Sequence, residues 1–121
     1  MVADDSWRTP DTNALLDAIL RLKTRAEAER FFRDLCTLGE LRDLAHRWAV
    51  VRFLAAGLHY TEISRLTGAS TATITRIASW LNHGEGGYKL MLERAQDQLP
   101  AKPAKSAKPA RPAKPKASGR R

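Results

Sequence analysis

Leu15, Leu16, Ile19, Leu20 and Leu22 recur at helical spacing and predict a first helix near residues 12–23. The cluster Asp11, Thr12, Asn13 just before them offers side-chain oxygens for its N-cap. Thr24, followed three residues later by Glu27, fits a capping box. Phe31, Phe32 and Leu35 then supply the apolar face of a second helix. Thr37 and Glu40 repeat that spacing ahead of Leu41, Leu44, Ala45, Trp48, Val51, Phe53 and Leu54, a long amphipathic pattern that stops at Gly57. Two shorter helices, Thr61 to Leu66 and Thr71 to Leu81, flank the turn Thr67, Gly68, Ala69, Ser70. A last one, about Tyr88 to Gln98, follows the loop His83 to Gly87. The fold class is therefore all-α, with six helices within residues 11–99. Helices this short cannot each bury an apolar face within one chain, so an intertwined homodimer is expected.

The turn at Gly68 has the composition of a helix-turn-helix. Two helices that cross at a steep angle need a small residue at the crossing, here Ser64, and a turn residue that tolerates positive φ, here Gly68. Ile63 anchors the first helix, while Ala69, Ile74 and Ile77 are expected to face the core. Ser70 is the expected cap of the second helix. That leaves Thr71, Ala72, Thr73, Thr75 and Arg76 on or near its exposed amino-terminal half. Small hydroxyl side chains suit a helix pushed into a major groove, because they bond phosphates or base edges without holding the backbone away. Ala72 or a threonine methyl suits the thymine methyl. Arg65, Ser70, Thr71, Ala72, Thr73, Thr75 and Arg76 are accordingly the candidate DNA contacts. An ordinary helix pair with a glycine turn is the structural alternative.

Charge refines this picture. The chain has 121 residues and a formal net charge of +8, yet residues 1–98 carry as many acidic as basic groups. The surplus lies in Lys102, Lys105, Lys108, Arg111, Lys114, Lys116, Arg120 and Arg121, set among Ala and Pro with no large apolar residue. Such a segment cannot form a core. Residues 100–121 are expected to be disordered and locally extended, and to follow phosphates without sequence choice; a tail that merely aids solubility is the alternative. Residues 1–10 are expected to be partly disordered. Trp7 is expected to pack against a partner chain, and Trp48 and Phe53 are expected in the dimer core.

Other chemistry is sparse. One cysteine, Cys36, can make neither an internal disulfide nor a zinc site, and reads as a small buried hydrophobe. His46, His59 and His83 have no ligand spacing, and Gly84 to Gly87 lacks the lysine and preceding strand of a nucleotide loop. No nucleophile is paired with a base and no cofactor motif is present, so neither an enzyme nor a metal or cofactor site is expected. No charge-free run is long enough to cross a bilayer and no secretory signal leads the chain, so cytoplasmic residence with the nucleoid is expected.

The run Thr67-Gly68-Ala69-Ser70-Thr71-Ala72-Thr73-Ile74-Thr75-Arg76 resembles the recognition segment of the tryptophan repressor superfamily. Phe31-Phe32, Leu35-Cys36-Thr37, Glu40-Leu41, Tyr60 with Glu62-Ile63, Leu81-Asn82 and Gly87-Tyr88 resemble its YerC/YecD-type branch. The resemblance spans about residues 12–95. It implies a homodimer with two reading heads on a palindromic operator, half-sites about one helical turn apart. It also implies a comparison with the corepressor site of that superfamily, where Thr37, Arg47 and Arg76 match a threonine and two arginines. The glycine and serine that make room for tryptophan and hold its amino group are replaced here by Ile77 and Trp80, which argues against tryptophan as effector. Arg47 and Arg76 either bind another small anion or amino acid, or contact phosphate or local carboxylates with no ligand.

The function expected from these readings is a sequence-specific transcriptional regulator, a repressor in sign, with a candidate link to amino-acid biosynthesis. Its partners are double-stranded DNA and a second copy of itself. The alternatives are a nucleoid-associated architectural protein of weak sequence preference and a helical protein-interaction module.

Overall fold

The computed structural model describes residues 4–100, so the eight tail cations lie outside the described residues. Six α-helices follow one another: α1 (Pro10–Leu20), α2 (Arg25–Leu35), α3 (Leu38–Ala55), α4 (Tyr60–Thr67), α5 (Thr71–His83) and α6 (Gly87–Arg94). A short 3-10 turn, Gln96–Gln98, closes the described chain, and no strand occurs among these residues. The chain divides within α3 into two compact units, one reaching to Asp43 and the other starting at Leu44.

In the first unit, side-chain caps set where helices begin. The Thr9 hydroxyl accepts the Thr12 N–H at 3.0 Å, and Pro10 occupies the first turn, where its missing N–H has no intrahelical partner to lose. α1 therefore starts two residues earlier than expected, with Thr9 as its cap in place of the Asp11 cluster. Thr12 instead donates its hydroxyl to the Trp7 carbonyl at 2.6 Å. The Trp7 ring is itself exposed and carries the Arg8 guanidinium 4.4 Å from its centroid. α2 opens as Thr24 accepts the Glu27 N–H at 3.1 Å while the Glu27 carboxylate accepts from Lys23 N–H at 2.8 Å. α3 opens on a full capping box: Thr37 accepts from Glu40 N–H at 3.0 Å and Glu40 accepts from Thr37 N–H at 2.9 Å.

The second unit holds a buried cluster. Val50 and Val51 of α3, Ile63 of α4, and Ile74 and Ile77 of α5 are each at most 1% exposed. Trp48, Phe53, Leu54, Leu58, Ala69, Tyr88 and Leu92 pack around them. Trp48 and Phe53, also expected in the dimer core, are half-buried against this cluster. α3 can turn back into α4 because Gly57 takes φ +85°. Leu58 N–H reaches the Phe53 carbonyl at 3.2 Å and Gly57 N–H the Leu54 carbonyl at 3.0 Å, the paired bonds of a Schellman motif.

The last helix is shorter than its apolar periodicity suggests. α6 ends at Arg94, and the 3-10 turn is tied to α3 instead: the Trp48 indole N–H donates to Gln98 Oε1 at 2.8 Å and Arg52 donates to the Gln98 carbonyl at 3.2 Å. Bonds between residues about fifty positions apart leave no trace in local spacing, and they displace the helical continuation that spacing alone favours.

Full burial of an isoleucine stabilises by about 1.5–3 kcal/mol, and truncation adds the cavity left behind. Ile74→Ala should therefore lower unfolding free energy by about 2–5 kcal/mol, measured by urea denaturation at fixed protein concentration. A loss under about 1 kcal/mol would mean the α4–α5 pair does not depend on this cluster.

Candidate nucleic-acid interface

The turn between α4 and α5 is built as its residues demand. Gly68 caps α4 at φ +79°, and its N–H bonds to the Ser64 carbonyl at 2.8 Å. A side chain here would be strained by the left-handed backbone rather than by crowding, since a Cβ would meet nothing within 4 Å. Thr67 braces the turn from inside, donating to the Ile63 carbonyl at 2.7 Å and accepting from Ala69 N–H at 3.1 Å. Ser70 then caps α5, its hydroxyl accepting the Thr73 N–H at 3.1 Å.

Burial of Ile74 and Ile77 fixes the rotation of α5. Side chains repeat every 3.6 residues, so Ala72, Thr75, Arg76 and Ser79 turn away from the cluster, and all four are exposed. Ser70 and Thr71 are exposed as well. Thr73 stands apart from this set: it is half-buried on the flank of the helix, and its hydroxyl oxygen accepts from Arg76 Nη2 at 3.3 Å. α5 contains no acidic residue, so nothing opposes the positive end of its dipole.

Arg65 is exposed, as a phosphate contact requires, but it already has a partner. Its Nε donates to Glu62 Oε1 at 3.1 Å and its Nη2 to Glu62 Oε2. Those hydrogen bonds, aided by charge attraction and opposed by slight desolvation, hold the Glu62 carboxyl below its usual range. Its folded pKa is depressed, so the pair's stabilisation is present above the unfolded carboxylate value and is lost only as pH falls through the lowered one. At neutral pH the pair is intact. Residues 60–82 then carry two cations and one anion, a nearly neutral reading head.

The residues compared with a corepressor site stand as follows. Thr37 caps α3, with its hydroxyl committed to Glu40. Arg47 is exposed on α3 and Arg76 on α5. Ile77 is a member of the buried cluster, whereas Trp80, one turn on, is 47% exposed. Neither Arg47 nor Arg76 has a carboxylate partner among the described residues. Among those residues no three His, Cys, Asp or Glu side chains are grouped to hold a metal ion, and no helix is long and apolar enough to cross a membrane.

Two of these contacts were not anticipated from sequence. Glu62 and Arg65 lie at i,i+3, a spacing at which opposite charges meet on a helix, so that pair had a readable signal. Ser70, Thr73 and Arg76 repeat the same interval, but whether a hydroxyl turns to a neighbour, to water or to its own backbone depends on the rotamer.

Six helices, a glycine turn and an acid-free α5 with an outward polar face define a helix-turn-helix protein. The family model described as Trp repressor protein matches residues 11–96, and the chain belongs to that family. It is 43% identical over 93 residues to the uncharacterized protein YerC of Bacillus subtilis (strain 168), covering 77% of this chain and 89% of YerC. It is 34% identical over 82 residues to a Trp operon repressor homolog of Chlamydia trachomatis serovar L2, covering 64% of this chain and 87% of that protein. Among solved structures, a TrpR-like protein from Eubacterium eligens ATCC 27750 superposes with a TM-score of 0.75 at 39% identity, over 80% of this chain and 99% of that one.

Freeing Arg65 should expose its charge. Glu62→Gln is expected to tighten binding to any duplex at low salt and to steepen the dependence of log affinity on log salt by about 0.9, one added phosphate contact. Titration by fluorescence anisotropy across salt concentrations measures both; an unchanged slope would place Arg65 away from the phosphates.

Proposed function

We propose that this protein is a sequence-specific DNA-binding transcriptional regulator, acting as a homodimer on a palindromic site beside the nucleoid. The observation that carries this is the outward presentation of Ser70, Thr71, Ala72, Thr75 and Arg76 over a buried isoleucine platform, in a helix free of acidic residues. Members of its family named as repressors support the sign of regulation. Regulation, not catalysis, is the activity this reading assigns.

Dimerisation has its own support. Leu20 is 81% exposed in the single chain, and Leu16, Leu35, Leu38 and Leu44 are each more than two-fifths exposed. Large apolar side chains left in water on several helices are what a second copy would cover. Two such heads would meet half-sites about one helical turn apart.

The tail adds affinity in this reading, and the head adds choice. If half of the eight cations in residues 99–121 meet phosphates, the salt slope rises by about four times 0.9. The architectural alternative draws on the same tail and predicts little sequence preference. For an effector, Ile77 in the core supports operation without tryptophan; Arg47 and Arg76 remain candidates for another amino acid, in keeping with a biosynthetic target. Calorimetric titration against the twenty amino acids tests that, and flat heats throughout would remove the effector.

Immunoprecipitation of bound genomic DNA is the primary test. A few sharp peaks, bound at least about a thousandfold more tightly than bulk DNA, are expected, whereas diffuse occupancy would favour the architectural reading. Deleting residues 100–121 should weaken binding to all duplexes alike and flatten the salt dependence. Loss of operator preference in the truncated chain would contradict the division of labour between tail and head.

A further inference from the structure

Three side chains along one flank of α5 are joined by hydrogen bonds. Ser70 accepts the Thr73 backbone N–H and donates its own hydroxyl to Thr73 Oγ1, both at 3.1 Å. Arg76 donates from Nη2 to that same oxygen at 3.3 Å. A hydroxyl holds two lone pairs and one proton. Both lone pairs of Thr73 are occupied, so toward anything outside the protein its side chain has only its proton to offer. Arg76 has donors alone, and one of its five N–H groups is already spent on Thr73. The Thr73–Arg76 pair therefore faces outward as a set of fixed donors.

Arg76 also lies four residues after Ala72, on the face opposite the buried isoleucines. A methyl side chain one turn before it leaves room for the helix to approach the floor of a groove, where Arg76 would meet base edges. In the major groove guanine presents two acceptors, adenine an acceptor and a donor, cytosine a donor, and thymine an acceptor beside a methyl. Paired donors match guanine alone at two points. Tethering to Thr73 removes rotamer freedom from a long side chain before DNA arrives, which sharpens that match.

We propose that α5 reads a guanine through Arg76, and that Thr73 is the positioning residue that makes Arg76 selective. This rests on the DNA-binding reading above and names the base class that reading would recognise. Thr73→Val keeps the side-chain shape and leaves the Ser70 cap on the backbone N–H intact, so it removes the tether without removing the helix start.

The test uses the full chain and duplexes it selects from random DNA. Selected sites are expected to carry guanine at a fixed position. Replacing that base with 7-deazaguanine, which lacks the N7 acceptor, should weaken binding about tenfold, while inosine, which keeps O6 and N7, should bind as guanine does. T73V should lose about tenfold in its preference for guanine over adenine, with circular dichroism unchanged, and T73S should restore it. Equal affinity for guanine and 7-deazaguanine sites, or full preference in T73V, overturns the proposal and leaves DNA binding in place. If T73V proves misfolded, the base-analogue pair decides the matter on the unaltered protein. A chain that selects no sequence at all removes the DNA-binding reading and this proposal together.

Discussion

Ile63, Ile74 and Ile77 meet Val50 and Val51 with essentially no water contact, and the placement of every candidate DNA contact follows from that burial. α4 is 8 residues long and α5 is 13, lengths at which an isolated helix is marginal in water. Neither would persist without the apolar surface beneath it. Once the isoleucines are inside, the helical repeat leaves Ala72, Thr75 and Arg76 no choice of direction. Apolar packing thus decides the orientation of polar side chains that make no contact with the core themselves, and a loss of packing would blur recognition before any contact residue changed.

Electrostatics follow a different distribution. The reading head has two arginines and one glutamate, and the glutamate holds one of those arginines. Long-range attraction to a polyanion from such a surface is weak. The large positive surplus is carried instead by a segment rich in Ala, Lys and Pro. A nearly neutral head has an advantage in this arrangement, because binding energy that comes from direct contacts discriminates between sequences, whereas energy from phosphate charge does not. Glu62 contributes to that balance by pairing with Arg65, one of the two cations of the head.

Elements whose causes are local were legible in the sequence. The side-chain caps at Thr24, Thr37 and Ser70, the stop at Gly57 and the turn at Gly68 each depend on residues within five positions of one another, and helical spacing marked the inward face of the isoleucines. The start of α1 was also local but was misplaced, because Thr9 with Pro10 at the first helical position competes with the oxygen-rich cluster after it and carries the stronger geometric signal. What could not be read were contacts made by folding: the Trp48–Gln98 bond that shortens α6, and the rotamer of Thr73 that turns its hydroxyl to Arg76. Sequence reading expected Thr73 on or near the exposed half of α5; it is half-buried on the flank of the helix.

The same packing bears on how the head could be controlled. Ile77, which by resemblance matches the glycine that leaves room for an indole in the family's corepressor site, is buried against the valines of α3. A ligand shifts an equilibrium only by binding one state better than another, and it must have space in the state it favours. Filling that space with a branched side chain makes the packing of α5 on the second half of α3 a property of the chain itself. Trp80, one turn further, is 47% exposed. An amino-acid effector held by Arg47 and Arg76 would therefore have to bind without the slot that Ile77 fills.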